Sequence, residues 1–181
     1  MTHLDIRAYA AARRYSAATT ERWLRIEPQG GEALLEVATA LRLGENQLRG
    51  LWEWAEEIAV RDGLSLAQVL RHESILAARA RPLSRNDRLK LVKAALRRLR
   101  FPRLVATEDR LATLIGALGL PRSVRMTLPD HLEGDEVRVE IVAQDPAALR
   151  AAALALQAAA DRPGCAEIFR LLGGESHDHD G

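Results

Sequence analysis

One cysteine, Cys165, stands in 181 residues. A lone thiol excludes an internal disulfide, and with it the stapled scaffolds of small secreted domains; it suits a reducing, cytoplasmic compartment. No run reaches ~18 consecutive apolar residues, the length that a membrane-crossing helix needs. The opening MTHLDIRAYAAARRYS carries charges where an export signal needs an apolar core. Aromatic residues are 4% of the chain, and Phe101 alone stands in its most basic stretch, so a stacking platform for single strands is not expected. Net charge is almost absent: 26 basic residues against 25 acidic ones leave +1, a total that predicts no partner.

Catalytic signatures are missing as well. The chain holds no GxxxxGK(S/T), no GxGxxG and no GxSxG. His72-Glu73 lacks the second histidine of a metalloprotease helix. The HDHD at 177–180 lies in a polar tail, and metal sites need preorganised geometry. Asp130, His131, Glu133, Asp135 and Glu136 crowd one loop, more simply a solvated turn than an ion site. A binding module is therefore expected rather than an enzyme, with no cofactor and no metal.

What is present is alanine, leucine and charge: 48% of residues are hydrophobic and 28% charged, an ordinary globular composition. Apolar residues recur at helical spacing through most of the chain. Short helices are expected over DIRAYAAARRY and, after Ser16 or Thr19, over SAATTERWLRIEP. A third covers GEALLEVATALRLG, with Gly44 as its C-terminal cap, and a fourth runs from Glu45 to Gly63. A fifth covers SLAQVLRHESILAARA, opened by the Ser65/Gln68 capping box. Trp52 reads as core and Trp54 as half-buried, rather than as a binding cage with Trp23.

The charge, though nearly balanced, is sorted. Between Arg79 and Arg103 stand ten basic residues and one acid, Asp87, a balance of +9; the remainder of the chain therefore carries −8. Ser84 and Asp87 form an S-x-x-D start signal, so a helix is expected from Arg85 until Pro102 stops it. Leu89, Val92, Leu96 and Leu99 fall on one face. At about 100° per residue, Lys90, Lys93, Arg97 and Arg100 form a second stripe beside them. Clustered lysine and arginine bind nucleic-acid phosphates while releasing counterions. The candidate contacts are Arg85, Arg88, Lys90, Lys93, Arg97, Arg98, Arg100 and Arg103. The competing readings are a helix that docks on an acidic surface, in this chain or a partner protein, and a merely solvated face.

After residue 120 the period changes. Val124, Met126 and Leu128 alternate with polar residues, as do Val137, Val139 and Ile141, and PDHLEGD between them suits a reversal. A β-hairpin with one buried face is expected, covered by helices around Leu111–Leu118 and Leu149–Leu156. Asp145 and Pro146 open the helix that follows, and CAEIFRLLGG supplies a last short one. The expected fold is mainly α with a small β-hairpin, a helical N-terminal half followed by a helix–strand–strand–helix unit. The expected division is 1–80 as a helical domain, 81–174 as the basic helix with the α-β-β-α unit, and 175–181 as a disordered tail.

Two resemblances attach to these segments. From Thr107 to Ala160, the order EDRLATLIGALGL, VRMTL, EGD, VRVEIV and PAALRAAALAL resembles the C-terminal dimerisation domain of the ParB chromosome-partition family. That likeness implies a homodimer through sheet and helix and nonspecific contact with DNA. The family's nucleotide-binding domain and arginine-rich motif have no counterpart in this chain, so CTP binding is not implied. AAARRYSAATTERWLRI is similar to a helix-turn-helix, which implies Ala11 and Ala12 inside, Trp23 and Leu24 in the core, and Arg13, Arg14, Arg22 and Arg25 near phosphates. The glycine usual in that turn is missing.

Overall fold

A computed structural model describes residues 3–129 and 132–173. The HDHD tail, Asp130 and His131 lie outside the described residues. The chain divides into two compact units on either side of the Pro102–Arg103 bond.

The first unit is all helix. Its elements are α1 (His3–Ala12), α2 (Ala17–Leu24), α3 (Pro28–Leu41), α4 (Glu45–Asp62), α5 (Leu66–Leu70), α6 (Glu73–Ala80) and α7 (Arg85–Arg100). Start signals act locally. Ser16 accepts from the Thr19 amide, Ser65 from Gln68, and Ser84 from Asp87, each answering a donor that the first turn leaves unpaired. α3 is apolar on almost every side because it is the central element, packed against α1, α5, α6 and α7. Trp23 and Trp52 are fully enclosed in this core, and their indole N–H groups donate to the Gly31 carbonyl and the Glu56 carboxylate. Trp54 is half-buried.

Two expectations about helix ends are corrected. α3 stops at Leu41, and Arg42, not Gly44, takes the left-handed capping position at φ 46°. Gly44 instead precedes α4. The single helix expected over 65–80 is two. The His72 ring accepts from the Ser74 amide and starts α6, which breaks the ladder at Arg71.

The expected boundary near residues 80–84 is also corrected. Leu89, Val92, Ala95 and Leu96 of α7 join the same core as Leu34, Leu51 and Ile75, and α7 packs on α6, α4 and α3. The change of charge at residue 80 marked a surface. The apolar face of the same helix decides which unit it belongs to, and each of those leucines contributes roughly 1.5–3 kcal/mol by its burial.

The second unit holds the rest of α8 (Pro102–Ala117), then β1 (Val124–Thr127), β2 (Arg138–Ile141), α9 (Pro146–Ala160) and α10 (Pro163–Leu172). Pro102 ends one helix by beginning the next, at the position where a missing N–H costs nothing. The strands pair antiparallel, with Val124 opposite Ile141 and Met126 opposite Val139, so the alternation puts these four on one face. Among the described residues the fold is thus mainly α with one small hairpin.

The cover of that hairpin differs from expectation. Val124 is buried, Met126, Leu128, Val137 and Ile141 are half-buried, and Val139 is 37% exposed. Leu111 and Leu114 of α8, with Leu118 just after it, close on Ala159, Ile168 and Leu172. α9 turns Ala152 and Ala159 inward and leaves Leu149 and Leu154 outside. Cys165 is half-buried beside this core.

Candidate nucleic-acid interface

α7 is rigidly placed. Ser84 Oγ accepts from the Asp87 amide at 3.2 Å and donates to the Asp87 carboxylate at 2.7 Å. The hydrogen bond from Ser84, helped by the charge of Lys90, holds the Asp87 carboxyl below its usual range. Asp87 in the first turn and Arg97, Arg98 and Arg100 in the last complement the helix dipole. At the far end, Arg61 donates to the carbonyls of Leu99 and Arg100, and Asp62 holds its guanidinium at 2.6 Å.

The inward row is as expected for Leu89, Val92 and Leu96, while Leu99 is half-buried. The cations divide into two groups. Lys90 is 80% exposed on its side chain and lies 3.6 Å from Asp87, a surface pair of little energetic weight. Lys93 and Arg98 are exposed, and Arg97 is half-buried. These side chains face solvent wholly or in part.

Arg85, Arg88 and Arg100 do structural work. Arg85 Nε donates to the Leu41 carbonyl at 2.7 Å, and its Nη2 reaches the Arg42 carbonyl at 3.1 Å and Gln47 at 2.7 Å. It caps the C-terminal end of α3, where the carbonyls have no partner within the helix. Arg88 is half-buried against the Arg79 carbonyl at 3.4 Å, and its Nε finds no hydrogen-bond partner. Arg100 pairs with Glu57 and stacks between Trp54 and Phe101, with 26% of its side chain exposed. The stripe of four outward cations is therefore corrected at Arg100. Arg103 is exposed in the second unit.

The helix-turn-helix expectation meets two corrections. Ala11 and Ala12 are exposed, and Ile6 and Ala10 make the buried row of α1. Arg22 lies over the Trp52 ring and pairs with Glu56 at 2.6 Å. In the turn before Ser16, Arg14 adopts the left-handed conformation at φ 56°.

Sequence reasoning missed Arg42 altogether. Nearby Gly44 carries the stronger capping signal, and only the packing of Leu41 and Leu43, both fully buried, places the turn two residues earlier. Among the described residues no group of three His, Cys, Asp or Glu side chains is arranged to hold a metal ion, and no helix is long and apolar enough to cross a membrane. Comparison of the chain with protein-family models, with curated proteins and with solved structures finds no match.

Proposed function

We propose that this chain is a non-catalytic, cytoplasmic DNA-binding or DNA-associated accessory protein that contacts phosphates through α7, independently of sequence. The supporting observation is the division of that helix: an apolar row held in the core, and Lys90, Lys93 and Arg98 exposed on its outer side. Phosphate contact needs cations that are presented to solvent from a fixed element. The second unit is read as a homodimer module of ParB-like type. Its element order, α8-β1-β2-α9, supports that reading, as do Val139, Val142, Leu149 and Leu154, all apolar and exposed.

Titration of labelled random duplex DNA, single-stranded DNA and RNA tests the proposal. Duplex binding that is indifferent to sequence, weakens with salt and yields to heparin is the expected result. A chain that shifts none of the three overturns it. The second reading is a protein–protein adaptor whose basic helix docks on an acidic partner. Leu91 at 37% and Phe101 at 39% exposed stand beside the cations and favour it, since a protein partner rewards apolar contact and a phosphate backbone does not.

A further inference from the structure

Two helices of the first unit end in the same unusual way. α1 closes with the Arg14 amide on the Ala11 carbonyl at 3.1 Å and the Tyr15 amide on Ala10 at 2.9 Å. α3 closes with Arg42 on Thr39 at 3.2 Å and Leu43 on Ala38 at 3.0 Å. Both are paired closures around a left-handed residue, the position that glycine usually fills. Here both hold arginine, at φ 56° and 46°, where a Cβ strains the backbone. Both side chains are exposed.

The two turns are also tied together. Arg13 Nε donates to the Leu43 carbonyl at 3.1 Å, Tyr15 donates to the same oxygen at 2.8 Å, and Tyr9 donates to Ala38 at 2.7 Å. Arg13 donates again, to the Arg42 carbonyl, which also receives Arg85 at 3.1 Å. Two guanidinium groups, one from the turn after α1 and one from α7, thus meet on one carbonyl oxygen, and the backbone of a third arginine carries that oxygen. Arg14 lies between the two residues, Arg13 and Tyr15, that hold this turn. The carboxylate at the start of α4, Glu45, is occupied elsewhere: it accepts from the Ser16 amide at 3.1 Å and from the hydroxyls of Ser16 and Thr19.

Among the described residues neither Arg14 nor Arg42 has an ion-pair partner. We infer that Arg14 and Arg42, on turns held in place by Arg13 and Arg85, form a second phosphate-binding cluster for the nucleic-acid backbone, next to the start of α7. The inference rests on the phosphate-contact reading of α7 and extends it. An anion with several acceptor oxygens suits two exposed arginines on turns that are tied together, since a phosphodiester accepts from two guanidinium groups at once.

The double variant Arg14→Gly/Arg42→Gly separates binding from folding, because glycine suits both backbone positions. Its melting temperature is expected to equal or exceed that of the parent. Its affinity for a labelled random duplex, read by fluorescence anisotropy, is expected to fall about tenfold or more, with the salt slope smaller by about 2. Arg14→Asn/Arg42→Asn, which also tolerates the left-handed region, is expected to behave alike. A parent that binds duplex while both double variants bind equally well overturns this inference and leaves α7 standing. If Lys90→Ala/Lys93→Ala binds as the parent does while the glycine variant fails, the cluster stands and α7 falls. A parent that binds no nucleic acid overturns both, and one that instead binds polyglutamate through these arginines overturns the choice of ligand.

Discussion

The Arg100 guanidinium lies 2.5 Å from the Glu57 carboxylate, bridging the last turn of α7 to α4. The same group stands 5.4 Å from the Trp54 ring centre and 4.6 Å from that of Phe101. One cation of the basic stretch is therefore a fastening of the helix that displays the others.

Arg100→Ala is expected to lower stability by about 1 kcal/mol, a sum of a half-exposed ion pair and a ring contact, and to leave duplex binding nearly unchanged. Urea denaturation beside anisotropy measures both. A loss of binding without a loss of stability assigns Arg100 to the interface instead.

Lys90→Ala/Lys93→Ala is expected to do the reverse. Both residues are exposed, and alanine is the best helix former, so stability stays within about 0.5 kcal/mol. Binding weakens equally for all sequences, and the salt slope shrinks by about 2. Equal affinity of variant and parent removes α7 as a contact surface.

The acid response is expected to involve Glu45. Hydrogen bonds from Ser16 and Thr19 hold its carboxyl below the ordinary value of 4.5. Near that value the unfolded chain binds more protons than the folded one, so this contribution is complete above it and is lost as pH falls through the lower folded value. Melting temperatures measured from pH 6 to 3 are expected to fall less steeply in Glu45→Gln than in the parent. Identical slopes contradict the assignment.

Association is expected through the second unit. Leu154, 60% exposed on α9, has no packing role in the described fold, so Leu154→Glu is expected to keep the monomer's stability. Sedimentation of the parent at tens of micromolar is expected to give twice the 20.0 kDa chain mass, and the variant the single mass. A parent that sediments as one chain disposes of the dimer.

Much of the chain was legible without coordinates because its signals are local. Ser84 and Asp87 start α7 within four residues, and Asp145 with Pro146 starts α9 in the same way. The inward row of α7 and the register of the hairpin follow from side-chain period alone, 3.6 in one and 2 in the other. What local chemistry could not reach was the choice of partner. Arg85 and Lys93 look alike along the sequence, yet one caps a helix 44 residues away and the other faces solvent. Leu149 and Leu154 look like core, and it is Ala152 and Ala159 that are buried, because helix packing selects the face. The boundary after Pro102, the cap at Arg42 and the division of the cations all depend on long-range contacts, which only the folded chain brings within a few ångströms.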